Sequence, residues 1–343
     1  MMIGAICTQA QAQTNVTIYG RIDAGVDFQT GVALKDANGN LTGQTGSKMG
    51  ASGNQWGTSM IGFKGVEDLG GGMSALFLLE AGFDATKGSL NGGALFNRRS
   101  YVGLNGGLGS VKLGKNLFIV NDVWYLDPTG QQWMGSASLV SGRNWPGADN
   151  VIEYQTPTWS GFNATVQTGL GEQAGSTTAG RKDGISLLYT NGDLELRGIY
   201  DVIRDTNGKY TNLYTASKDW ILGGTYTVDK LKLFAGYENI SAPNTLAPTD
   251  PNKLNHYWVG LNYTITPALT LIGAAYHSKL NNDAGSANLF LVGANYNLSK
   301  RTLLYASIGT VHNKGKANFG TEYDNPLPGH AQSGGYAGIS HSF

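Results

Sequence analysis

Residues 15 to 28, NVTIYGRIDAGVDF, alternate between two kinds of side chain: Val16, Ile18, Gly20, Ile22, Ala24, Val26 and Phe28 share one parity, and Thr17, Tyr19, Arg21, Asp23, Gly25 and Asp27 the other. A period of two puts each set on its own face of a β-strand. The pattern recurs near 55–66, 72–84, 97–105, 109–116, 149–157, 161–170, 183–191, 193–202, 217–228, 230–240, 254–265, 267–279, 286–298, 300–312 and 334–343, which makes sixteen predicted strands. No segment sustains apolar spacings of three and four, so the chain reads as all-β. Tight connections at 67–71, 106–108, 157–160, 191–192, 229, 266–267 and 299–300 alternate with long ones rich in Gly, Asn, Asp and Ser. Strict alternation places turns at one end and loops at the other end of an up-and-down sheet, and an even strand number permits closure. The longest connection, 117–148, falls between the fifth and sixth strands and exceeds what a structureless loop normally reaches.

The apolar parity continues through Ile61 and Phe63, through Met73, Ala75, Phe77 and Leu79, and through Tyr257, Val259, Leu261 and Tyr263. Such a sheet survives in hydrocarbon only if it closes on itself, because every amide there needs a partner. Sixteen strands enclose a lumen too wide to fill with side chains, so the polar parity lines water. Charged residues are only 14% of the chain, against 51 Gly, 17 Tyr and 7 Trp. No run approaches the ~20 apolar residues of a spanning helix. With 24 basic and 24 acidic residues the net charge is +0, and no nucleic-acid partner is expected.

Parity also assigns the lumen. Val102 and Leu104 face lipid, so Arg99 and Tyr101 face inward and Arg98 falls at the rim. By the same rule Lys64, Glu80, Lys112, Glu153, Glu195, Arg197, Asp201, Lys232 and Glu238 point inward, joined by Arg21 and Asp23. An Arg or Lys on the lipid face near the midplane would cost ~2–4 kcal/mol. The long connection carries Asp122 and Asp127 among Trp124, Tyr125 and Trp133. Its aspartates either line the lumen or cap turns.

MMIGAICTQAQA, residues 1–12, stands apart: a short apolar run ends in Ala10-Gln11-Ala12, a small-x-small site that releases a chain starting at Gln13. With no basic stretch before the run, it reads as a truncated signal peptide. Cys7, the only cysteine, lies within it and is a poor match to a lipidation box, so the mature chain carries no disulfide framework.

NVTIYG, GFKGVEDLGGGMSALFLLE (62–80), FNRRSYVGL (96–104), GSVKLGKN (109–116), NLSKRTLLYAS (297–307) and the ending GISHSF (338–343) together resemble the β-proteobacterial branch of the Gram-negative general porins. That resemblance implies a homotrimer of sixteen-stranded barrels in the outer membrane, in contact with lipid and lipopolysaccharide and passing small hydrophilic solutes. The third loop, 117–148, would fold inward as a constriction, setting Asp122 and Asp127 across from a basic wall that includes Arg99 and Lys112. Phe343, with His341 and Ile339, is similar to the terminal signal read by the outer-membrane insertion machinery. Three positions that are commonly Arg in the family are Met60, Glu153 and Ser340 here. Weak charge selectivity is therefore expected, because selectivity follows local rings of charge.

A substrate-selective channel for small organic acids shares most of these features, and a barrel hydrolase would need clustered catalytic groups. The five histidines, His256, His277, His312, His330 and His341, are scattered, and His277 and Ser278 point to opposite faces. No paired-Cys zinc spacing or GxxxxGK[ST] loop occurs, so no enzyme and no cofactor is expected. Calcium at Asp36, Asp250 or Asp324 is the one metal left open.

Overall fold

The computed structural model describes residues 15–130 and 132–343; the leader 1–12 and Cys7 lie outside the described residues. The alternating stretches form one antiparallel sheet: β1 (Asn15–Lys35), β2 (Leu41–Gly53), β3 (Ser59–Gly70), β4 (Met73–Asp84), the two-residue β5 (Ser89–Leu90), β6 (Arg99–Gly106), β7 (Gly109–Leu117), β8 (Gly147–Gln155) and β9 (Phe162–Gly169). It continues through β10 (Lys182–Asn191), β11 (Leu194–Ile203), β12 (Lys218–Val228), β13 (Leu231–Ser241), β14 (Lys253–Thr264), β15 (Leu269–Leu280), β16 (Ser286–Asn297), β17 (Thr302–Lys314) and β18 (Ala331–Ser342). Successive strands of the wall pair antiparallel, and β18 returns to β1, with Val26 opposite Ala337. Main-chain bonds of 3.0 and 3.1 Å in both directions between Gly20 and Phe343 complete that seam. The sheet therefore has no free edge.

The wall counts sixteen strands. β3 pairs with the first part of β1 and β2 with the rest, so β2 and β3 are one wall strand broken at 54–58, and β5 only edges β4. Two sequence expectations need correction here. The first strand runs on to Lys35 rather than ending at 28, and the strand expected at 55–66 starts at Ser59, with the unforeseen β2 before it. LTGQTGSKMGASG has no apolar alternation because both of its faces are largely open, so the period-two signal had nothing to record. The break is built locally: Asn54 takes a left-handed φ of 66° and its side chain accepts a 2.6 Å bond from the Ser59 amide.

Side chains divide by face as expected. Val16, Ile18, Ile22, Val26, Val259 and Val292 are exposed on the outside, where lipid replaces water. The buried apolar cluster lies inside the barrel, and its centre is the segment between β7 and β8. That segment holds a 3-10 turn (Ile119–Tyr125) and a short helix, α1 (Ser136–Leu139). Wall glycines make room for it. A Cβ on Gly184 would stand 2.4 Å from Ile119, on Gly223 2.9 Å from Leu126, on Gly260 2.3 Å from Pro128 and on Gly309 2.5 Å from Met134. Trp258 Nε1 donates to the Leu126 carbonyl at 2.8 Å and Ser278 Oγ to the Leu139 carbonyl at 3.1 Å, so main-chain carbonyls of the inner segment find partners on the wall.

A Gly260→Val variant should drive Pro128 off its seat at a cost of about 1–3 kcal/mol, the usual range for an overpacked core. The expected readout is a lower heat-denaturation midpoint in detergent, and an unchanged midpoint would contradict this seating.

Candidate functional site

Between the 118–146 segment and the wall lies a space of ≈ 480 Å³ lined by Arg99, Lys112, Asp122, Tyr125, Glu153 and Arg197. Pleat parity on β6, β7, β8 and β11 aims these wall side chains inward, and the 3-10 turn supplies Asp122 and Tyr125 from the opposite side. The charges do not stand alone. Glu80 accepts from Arg98 Nε at 2.6 Å, Arg99 Nη1 at 3.2 Å and the Tyr19 hydroxyl at 2.8 Å. Glu153 accepts from Lys112 Nζ at 2.7 Å and from Asn116 and Gln167 at 2.8 Å each. Across the space, Arg197 reaches Asp122 at 2.7 Å and Glu195 at 3.1 Å and lies 4.6 Å from the Tyr125 ring centre.

Exposure separates the partners. The Glu80 and Glu153 side chains are 1% and 8% exposed, whereas Arg99 and Lys112 keep 25% and 21% and Asp122 keeps 30%. Within this space the cations therefore stand in front of the carboxylates that neutralise them on the β6–β7 side, and the Asp122 carboxylate stands on the other. Arg21 donates to the Thr58 carbonyl at 3.0 and 3.1 Å and lies 5.1 Å from the Trp56 ring.

Several expected lumen residues are sequestered instead, among them Asp23, Asp127, Asp201 and Glu238. Asp23 is fully buried, accepting from the Tyr305 hydroxyl at 3.0 Å and the Gln55 amide at 2.8 Å, and so holds the β2–β3 break against the wall. Asp127, also buried, accepts from the amides of Thr129 and Ser136 and from the Tyr276 hydroxyl, all at 2.8 Å. Of the two readings of the loop aspartates, Asp127 follows turn capping and Asp122 faces the lumen. Arg98, placed by parity at the rim, precedes β6 and swings in to Glu80, because a residue outside the strand is free of the pleat.

Sequence reading missed Arg143. Its fully buried guanidinium bonds Asp201 at 2.5 Å and Ser217 at 2.8 Å, with Asp219 at 4.0 Å, and Asn144 next to it reaches Glu238 at 3.4 Å. The inward parity of Asp201 and Glu238 was the only available signal of a cation to be met, since nothing in a loop sequence gives side-chain direction.

His256 Nδ1 lies 2.8 Å from Ser278 Oγ, a pairing of different residues from the adjacent His277 and Ser278. Both groups are fully buried, and Ser278 Oγ also bonds the Leu139 carbonyl at 3.1 Å, so the hydroxyl ties the inner segment to the wall. Among the described residues no three His, Cys, Asp or Glu side chains converge on a metal position. Asp36 caps its own turn by accepting from the Asn38 and Asn40 amides, which hold its carboxyl below the usual range; Asp250 accepts from Ala247 and Asp324 pairs with Lys48.

Above the inner segment, the 315–330 connection folds back over it. Tyr323 stacks on Trp133 with ring centres 4.0 Å apart, and Glu322 Oε2 accepts from Gln55 Nε2 at 2.8 Å. Burial, with Asp27 nearby, pushes the Glu322 carboxyl up to about 7 even though the Gln55 bond works the other way.

A closed antiparallel barrel with an apolar exterior, an inner segment and a charged passage defines an outer-membrane channel. Residues 1–316 match the Gram-negative porin family, and the chain belongs to it. It is 30% identical to an outer membrane porin protein of Bordetella pertussis, over 89% of this chain and 91% of that one. It is also 30% identical to outer membrane porin protein 32 of Delftia acidovorans, over 97% and 95%. Among solved structures, the anion-selective porin from Comamonas acidovorans superposes with a TM-score of 0.80 at 26% identity, covering 96% of this chain and all (100%) of that one. The protein is an outer-membrane porin, a channel for passive diffusion.

Two outcomes follow from this geometry. Because the folded Glu322 binds its proton more tightly than a free glutamate, its contribution to loop seating is complete below the ordinary glutamate range and is lost as pH rises through about 7. Limited proteolysis at the exposed Tyr323 should accelerate over that interval, and Glu322→Gln should flatten the profile. Arg143→Met leaves buried carboxylates without their cation and should cost about 3–5 kcal/mol, measured as a fall in unfolding midpoint beyond that of a surface Arg→Met change.

Proposed function

We propose that this porin is a weakly charge-selective, non-enzymatic channel in which residues 117–148 form the constriction, with a slight preference for anions set by Arg99 and Lys112. The observation that carries this reading is the pairing of the wall cations: Glu80 offsets Arg98 and Arg99, and Glu153 offsets Lys112. Ion pairs leave short-range fields that largely cancel for a passing solute, while the deeper position of the carboxylates leaves a residual positive surface. Glu153 is the key departure, since a basic residue there would leave Lys112 without its partner. The Comamonas relative is an anion-selective porin, which supports the sign of the preference. The working unit is a homotrimer whose outer face meets lipid and lipopolysaccharide, and Phe343, exposed to 44% at the β1–β18 seam, is the segment offered to the insertion machinery.

Reversal potentials in a salt gradient across planar bilayers test the reading. The expected anion-to-cation permeability ratio lies above one and below about fivefold. Glu80→Gln and Glu153→Gln should each raise it by uncovering cations, and Arg99→Gln should lower it. A wild-type ratio far above that range, or one unmoved by the glutamate changes, would refute the proposal.

A further inference from the structure

The space between the inner segment and the wall carries aromatic rings as well as charges. Tyr125, the last residue of the 3-10 turn, leaves 49% of its surface open, and Trp124 before it and Tyr101 on β6 are half-buried in the same lining. Rings left half open to water forgo part of the burial that normally orders an aromatic side chain. Tyr125 is held all the same: the Arg197 guanidinium lies over it, 4.6 Å from the ring centre, and Trp124 meets it at 76° with centres 5.9 Å apart. Arg197 is fixed in turn by Asp122 at 2.7 Å and Glu195 at 3.1 Å. A cation thus covers one face of the phenol, and its open surface belongs to the rest of the ring, toward the space.

That cation polarises the ring. Electron density drawn toward the guanidinium leaves the open face less negative, so it takes an electron-rich ring in offset contact better than an isolated phenol does. Arg99 and Lys112 line the same space, each partly exposed in front of its buried glutamate. Lys112 Nζ also lies 5.6 Å from the Tyr101 ring centre, which sets a second aromatic beside the cations. Between these wall positions and Arg197, β8 and β9 contribute the neutral Gln155, Asn163 and Thr165. The carboxylates that share the lining, Asp122 and Glu153, are each taken up by a cation at 2.7 Å. At ≈ 480 Å³ the space falls within the range of small-molecule pockets, about 300–1,000 Å³, and admits a single-ring solute with water around it.

We propose that this space is a transit site for small aromatic carboxylates, single-ring acids of the benzoate kind, whose carboxylate is received by Arg99 and Lys112 and whose ring passes over the open face of Tyr125. The inference rests on the anion preference proposed above and gives it a solute class. Contact at both ends favours an aromatic acid over a neutral aromatic, which lacks the charge, and over an aliphatic acid, which lacks the π face. Residence is brief, because a site within a channel must release what it binds.

Block of chloride conductance in single channels of the full protein tests this with three probes: benzoate, cyclohexanecarboxylate of the same charge and ring size, and benzamide, which keeps the aromatic ring and loses the charge. Benzoate should halve the conductance at a concentration about two- to tenfold below that needed for cyclohexanecarboxylate, the span expected of one aromatic pair, and benzamide should block least. In Tyr125→Leu the two acids should block alike, whereas Tyr125→Phe should keep the advantage of benzoate. Arg99→Gln should weaken block by both acids to the same degree. Equal block by the two acids in the wild type, an undiminished benzoate preference in Tyr125→Leu, a lost one in Tyr125→Phe, or benzamide block equal to that of benzoate would overturn the site. The wild-type and Tyr125→Phe measurements decide the matter even where Tyr125→Leu forms no channels. Reversal potentials in the same channels separate the site from the reading beneath it: a ratio above one with equal block by the two acids overturns the site alone, and a ratio below one removes both.

Discussion

The need to pair every main-chain amide in a solvent without hydrogen bonds governs this molecule. Within hydrocarbon the chain has no water to fall back on, so an extended segment must find a neighbour on both sides, and the last strand must find the first. The Gly20–Phe343 bonds are where that demand is finally met. Gly20 also has no side chain because a Cβ there would fall 2.4 Å from the Phe343 ring, so closure and the terminal aromatic depend on one small residue.

Closure with sixteen strands creates an interior that side chains alone would not fill. The inner segment fills part of it and imports the same obligation inward, since its own carbonyls and amides must be satisfied away from bulk water. The wall answers with side-chain donors and acceptors such as Trp258, Ser278 and Gln167, the last accepting from the Ile119 amide at 3.0 Å. Glycines at the points of closest approach let backbone and side chain meet without a gap, and a gap would forfeit dispersion contacts on both sides. The buried Arg143 group is the ionic form of that anchoring. A charge set without water is stable only when its members stay together.

What remains open is narrow, and its walls are charged in pairs. Pairing keeps the cations at fixed positions, because Glu80 and Glu153 act as buried struts behind Arg99 and Lys112.

The sequence by itself determined the strand pattern, the closed all-β architecture, the two solvents and the inward direction of most wall charges, because a period of two is written residue by residue and hydrocarbon punishes any lapse. It did not reveal β2, whose faces both meet water and so carry no alternation. Nor did it separate the two loop aspartates: Asp122 and Asp127 are five positions apart in an irregular segment, and only the folded path turns one to Arg197 and buries the other under Tyr276. Arg143 and the tilt of Arg98 were likewise beyond reach. Side-chain direction is a local property in a strand and a global one in a loop, so which residues outside the strands reach the passage was decided by tertiary structure alone.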